Sequence, residues 1–273
     1  MKLHTDEFYY SAIKNAFPNS WNIRVPAVAG LVSPVFICDT PTGPKVCRFS
    51  EYDIVFRNRY VSNLLTLNDI PVPRTDIRAY MDSWFEVYDY CPSQTLYERV
   101  NAGMTDTEIF NTYKRVIDIQ HQISDISPID FRPGRCKHMS EVFFVTQCMR
   151  LPTILSQLYT SVHKLFSTRG KMYVLHNDLN SRNVLVDDNG HVSRLIDLDA
   201  VALCNESFSV LMSLRMYPLD NCAQYLDYYE DTMGRKLNRS AILDGLKIMS
   251  AIRARQITLN RLLWRGYNPP PEH

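Results

Sequence analysis

The stretch KMYVLHNDLNSRNVLVDDNGHVSRLIDLDAV, Lys171 to Val201, constrains the fold more than any other part of the chain. Around it, apolar residues recur at helical spacing over Asp106 to Ile123, Ser140 to Gln147, Thr153 to Phe166 and Ser240 to Leu263. Inside it the period changes. A short apolar run, Met172 to Leu175, leads into His176-Asn177-Asp178, and Asn183 opens a strand, NVLV. Asp187-Asp188-Asn189-Gly190 supplies turn chemistry, Asn-Gly being a strong short hairpin signal, and the return strand HVSRLI ends at Asp197. Whatever its register, such a hairpin brings its Asn183 and Asp197 ends together, with Asp178 on the loop just before. Three oxygen-bearing side chains converge from local chemistry alone.

Two carboxylates and a carboxamide oxygen form a hard-ligand set. Magnesium takes few protein oxygens and completes its octahedron with phosphate oxygens and water. Phosphoryl transfer needs such a cation to neutralise charge, and a carboxylate to orient the attacking hydroxyl and take its proton. A plain hairpin with solvated polar ends is the bland reading, and the strand context on both sides together with Asp197 argues against it. A calcium loop at Asp187 to Gly190 fails, because Leu185 and Ile196 would occupy ligand positions.

The first third is different in texture. VFICDT and KVCRF flank Pro41-Thr42-Gly43-Pro44 and read as a hairpin over Val35 to Ser50. A helix is expected over Ile54 to Leu67, ended by Pro71 and Pro73, and a further strand over Trp84 to Tyr90. Strands followed by helices predict an α+β fold of two lobes, residues 1–91 and 92–273, joined near Tyr88 to Pro92. A formal net charge of +1 gives no global field toward nucleic acid or membrane. The start carries Asp6 and Glu7 without an apolar core, and so does not read as a signal peptide. The seven cysteines are scattered, and they suit a reducing cytoplasm.

At these residues the sequence resembles the aminoglycoside phosphotransferase and choline kinase superfamily, which has a two-lobed protein-kinase-like fold. His176-Asn177-Asp178-Leu179 through Asn183 is similar to its catalytic loop, and Ile196-Asp197-Leu198-Asp199 to its metal-binding segment. The resemblance implies ATP and Mg2+ as cofactors and a small-molecule hydroxyl as acceptor. It implies Asp178 as catalytic base, His176 as brace of the loop, and Asn183 and Asp197 as magnesium ligands. Val87 to Leu96 resembles the hinge, where backbone groups around Asp89 and Cys91 would meet adenine. Ala29 to Ser33 resembles a reduced phosphate loop, and Arg48 stands where the family places a phosphate-binding cation on the third strand.

The departures are specific. On the small-lobe helix the family usually has a Glu to pair with the strand cation, and here Asn58 stands in its place. The phosphate loop has a single Gly30 and then Pro34, so it offers few free N–H groups. The family's Tyr-Asp-Leu pattern, whose Asp supports the catalytic loop, is replaced by Phe208-Ser209-Val210. The missing helix Glu and the poor phosphate loop leave a catalytically silent pseudokinase as an alternative. Asn180 stands where protein kinases usually put Lys, which favours a small-molecule acceptor over a protein Ser/Thr kinase. Tyr225 to Asp231 reads either as an aromatic-acidic acceptor pocket for a cationic amine or as a helix with buried tyrosines.

Overall fold

The structure, a computed structural model, describes residues 4–26, 33–129, 131, 171–214 and 222–247. The helices expected over 140–147 and 153–166 lie outside the described residues. Of the one expected over 240–263, the described part is helical, from 239 to 247.

The first lobe is an antiparallel sheet of five strands: β1 (Trp21–Arg24), β2 (Val35–Asp39), β3 (Lys45–Ser50), β4 (Asp76–Tyr80) and β5 (Ser83–Asp89), in the order β1-β2-β3-β5-β4. The β2–β3 turn is closed by the Gly43 N–H on the Thr40 carbonyl at 2.9 Å. Gly43 has φ +105°, a region that side chains rarely adopt. Period-two alternation divides the sheet. Cys47, Phe49, Phe85 and Val87 pack on Tyr9, Ala12 and Ile13 of α1 (Asp6–Ala16) in one core. The alternate residues Arg48, Glu86 and Tyr88 line a cavity on the other face.

Helix α2 (Tyr52–Leu67) begins two residues before the expected start and ends where expected. The sequence reading assigns no element to α1, β1 or β4. Yet α1 has a readable start, with the Thr5 hydroxyl accepting the Phe8 N–H at 3.4 Å and Asp6 and Glu7 in its first turn.

The chain crosses to the second lobe over residues 90–93. There follow β6 (Gln94–Thr95), α3 (Leu96–Asn101), α4 (Asp106–Ser124), β7 (Tyr173–His176), β8 (Val184–Val186), β9 (Val192–Leu195), a 3-10 turn (Leu198–Ala200), β10 (Val201–Cys204), α5 (Glu206–Leu214) and α6 (Cys222–Met233). A capping box of Thr105 and Glu108 starts α4, worth about 1 kcal/mol. The large core of this lobe takes in Val61 and Leu65 of α2 and Ile70 and Val72 after it. The Leu195 N–H donates to the Pro71 carbonyl at 2.7 Å. The helix of the first lobe is thereby seated in the second, which fixes the cleft between them. No helix among the described residues is long and apolar enough to cross a membrane.

Candidate active site

The expected hairpin forms, with Val184 opposite Leu195. Its turn is held by the Asp187 carboxylate, whose Oδ1 accepts the N–H groups of Asn189 and His191, both at 2.9 Å. Gly190 alone takes the left-handed conformation, φ +79°, so Asp187 and Gly190 make the turn and Asn189 does not. At the open end, the Ile196 N–H donates to the Asn183 carbonyl at 3.0 Å, which ties Asn183 to the residue just before Asp197.

His176 is fully buried at the end of β7. Its Nε2 donates to the Ile196 carbonyl at 3.0 Å, and its Nδ1 accepts the Asp178 N–H at 3.3 Å. Burial pushes its pKa down, against the carbonyl contact and the Asp178 charge. A neutral ring with its proton on Nε2 satisfies both bonds. It ties the loop that carries Asp178 to the segment before Asp197.

Asp178 is gripped through both carboxylate oxygens. Asn180 Nδ2 donates to Oδ1 at 2.8 Å, and Asn183 Nδ2 to Oδ2 at 3.1 Å and to the Asp178 carbonyl at 2.8 Å. Asn180 is held in turn by the Arg182 N–H on its Oδ1 at 2.9 Å. Because the Asn183 nitrogen is committed to Asp178, its amide oxygen is the ligand it can offer a cation. Asp197 has φ 64° and ψ 58°, a left-handed conformation that few non-glycine residues adopt and Asp tolerates better than most. Its side chain is 42% exposed, and it lines with Asn183, Ser33, Arg48, Glu86 and Tyr88 a cavity of about 200 Å³ between the lobes. One carboxylate and one amide oxygen at an open cavity fit a magnesium ion that keeps its other positions for phosphate and water.

Arg48 is the hub of the cavity. It forms a two-point pair with Asp199, reaches Glu86 Oε1 at 3.3 Å and lies 3.4 Å from Asp197 Oδ1. The missing helix acid therefore does not leave Arg48 without a partner in its own lobe: the acid comes from β5, where Glu86 lies directly opposite Arg48 in register. Asn58 donates its amide to both Glu86, at 2.8 Å, and Asp199. Burial drives the Glu86 pKa up to about 7; Arg48 works against this, and the Asp199 and Asp197 charges add to it. Burial would also raise Asp199, but the Arg48 charge and hydrogen bonds hold it below the usual carboxylate value. Sequence reasoning missed Glu86 and Arg57, which bonds the carbonyls of Asp199 and Val201. The signal for Glu86 was a lone acid inside the apolar strand WFEVY.

The other expected positions divide. Ser33 is buried on the cavity wall with its hydroxyl 3.4 Å from that of Ser50, while 27–32, including most of the reduced phosphate loop, lies outside the described residues. Asp89 and Cys91 sit at the lobe connection, away from that cavity's lining. The Asp89 carboxylate pairs with Lys45, and its carbonyl accepts from Arg194 at 3.0 Å. Cys91 Sγ donates to the Ser93 hydroxyl at 3.3 Å. Of the two readings of the Tyr225 to Asp231 patch, the structure fits the helix with buried tyrosines. Tyr225 and Tyr229 belong to the core, and Glu230 is bound by Arg239 and Lys236. Ser209, in the Phe208-Ser209-Val210 segment, is linked to His176 by a relay: Gln120 donates to the Ser209 hydroxyl and accepts the His176 N–H, both at 3.3 Å.

A five-stranded lobe, a helical lobe and a hairpin at their cleft define a protein-kinase-like fold of the α+β class. Among solved structures, the chain is similar to an aminoglycoside-3'-phosphotransferase of type VIII, at TM-score 0.64 and 14% identity, covering 90% of this chain and 97% of that one. It is similar also to a type I macrolide 2'-phosphotransferase, at TM-score 0.62 and 16% identity over 95% and 94%. A Plasmodium vivax ethanolamine kinase shares the fold at TM-score 0.54 and 12% identity, over 84% and 71%. No protein-family model and no curated protein matches the sequence. The likeness is one of fold.

Proposed function

We propose that the chain is a phosphotransferase that moves the γ-phosphoryl group of ATP to a hydroxyl of a small molecule, such as an aminoglycoside, an amino alcohol or a sugar. The observation that carries this reading is the Asp178 carboxylate, fixed through both oxygens by Asn180 and Asn183 beside the cavity that Arg48, Asn183 and Asp197 line. Asp178 would orient the acceptor hydroxyl and take its proton as the new O–P bond forms and the β–γ bridging oxygen leaves with ADP. The Asn183 amide oxygen and the Asp197 carboxylate would hold Mg2+, which neutralises charge on the phosphates when bound. Arg48 and the Ser33 hydroxyl would meet phosphate oxygens from the first lobe, and the backbone at Cys91 would meet adenine.

Small-molecule acceptors are favoured over protein ones by Asn180, whose amide is tied back to the base. Among the described cysteines, Cys38, Cys47, Cys91 and Cys204 are free thiols, which supports a cytoplasmic setting. Replacement Asp178→Ala tests the assignment. Turnover on a responsive acceptor should fall by about a hundredfold to ten-thousandfold with the melting temperature kept, and undiminished turnover would remove Asp178 from the mechanism.

A further inference from the structure

We infer that Glu86, bridged by Asn58, is the positioning residue that keeps Arg48 aimed into the cleft, so that the nucleotide phosphates are read by a strand-borne pair. The inference rests on the proposed phosphotransferase function and deepens it.

The partners of Arg48 fall into two sets. Asp197 and Asp199 belong to the second lobe, whereas Glu86 belongs to the first, on the same sheet as Arg48, and is itself hydrogen-bonded by Asn58 of α2. Phosphate oxygens are the same kind of acceptor for a guanidinium as carboxylate oxygens. A triphosphate entering the cavity would therefore exchange with Asp197 and Asp199, and the inner set would remain. Directly opposed residues on antiparallel strands have Cβ atoms about 5 Å apart, which leaves Glu86 well placed to follow the guanidinium. Glu86 is 3% exposed, and its Oε1 takes both the Arg48 and the Asn58 contact. As core material the arrangement is poor, since three carboxylates share one guanidinium. Buried ion pairs of this kind often give way to apolar residues without loss of stability. Its location, on the cavity wall beside Asn183 and Asp197, accounts for it better. With Glu86 gone, Arg48 would be drawn across the cleft by Asp199 and would meet the phosphates less well.

The test measures ATP binding, KM for ATP and kcat in Glu86→Gln and in the double variant Glu86→Gln/Asn58→Glu, which returns the acid to the helix. Glu86→Gln should weaken ATP binding and raise KM by about tenfold, the scale of one weakened charge-assisted hydrogen bond, with kcat changed less than about threefold. The double variant should recover most of the loss. Glu86→Asp, which withdraws the charge by one methylene, reads the same split if the glutamine variant melts below assay temperature. An ATP affinity unchanged in Glu86→Gln and Glu86→Asp, beside a wild type that binds ATP, overturns this inference alone. A wild type that does not bind ATP overturns it together with the proposed function.

Discussion

Glu86 and Glu230 are two buried glutamates of one chain, 3% and 5% exposed, whose pKa values are pushed in opposite directions. Glu230 accepts from Arg239 Nε at 3.1 Å and Nη2 at 2.8 Å, from Lys236 Nζ at 2.9 Å and from the Leu237 N–H at 2.9 Å. Chiefly through the Arg239 hydrogen bonds, its pKa falls to about 2. Glu86 has one shared guanidinium and one amide, with two other carboxylates close by, and burial leads in lifting it to about 7. A cluster with more donors than acids is a fastening, here joining α6 to the turn after it. A cluster with more acids than cations lacks positive charge, and it faces the cavity where a cation and a nucleotide would be received. Perturbed acids in a cleft point to function, and satisfied ones to architecture.

The sharpest way to break this contrast is to remove one carboxylate from each region and measure turnover. Asp197→Asn keeps the shape and tolerates the left-handed backbone. It should cost about a thousandfold in turnover, the scale of several kcal/mol of charge stabilisation. Glu230→Gln should leave turnover within about twofold. Equal losses would erase the distinction between the two clusters.

Stability against pH separates the glutamates next. Glu86 binds its proton more tightly when folded, so stability should fall as pH rises from about 4.5 toward 7. The full change is about 3 kcal/mol at about 1.4 kcal/mol per pH unit. Glu230 has the opposite sign: its contribution is present above about 4.5 and is lost as pH falls toward 2. Denaturant titrations across this range should show Glu86→Gln flattening the upper limb and Glu230→Gln the lower one. A variant that flattens the other limb would reverse the assignments. Smaller still, Glu230→Ala at neutral pH should lower stability by about 2 kcal/mol through its lost charged hydrogen bonds, read as a shifted urea midpoint.

The same two regions show what the sequence could convey. The 183–197 hairpin was legible because its instructions are local: Asp187 and Gly190 close the turn within five residues, and strand pairing then brings Asn183 to the Ile196 end. Thr105 and Glu108 announced α4 in the same way. The Arg48 cluster was not legible as a unit. Its members are separated by 38 positions, Arg48 to Glu86, and 151, Arg48 to Asp199, and they meet only once strand register and lobe packing are set. Asn58 read as a loss because its bridging partner lay on another strand. The Gln120 relay to Ser209 was hidden for the same reason, being a helix-to-helix contact 89 positions apart. Helix α1 is legible in the same local way: Thr5 caps it, and Tyr9, Ala12 and Ile13 fall at helical spacing.

The most direct test of the account is acceptor-dependent ADP release from ATP and Mg2+. The panel would be aminoglycosides, choline, ethanolamine, homoserine and sugars, run with wild type and with Asp178→Ala. The account predicts that at least one of these hydroxyl compounds raises ADP release in the wild type, and that the alanine variant loses the response while still binding nucleotide. Contradiction would be a wild type whose melting temperature is unmoved by millimolar ATP and Mg2+ and whose ADP release no acceptor raises.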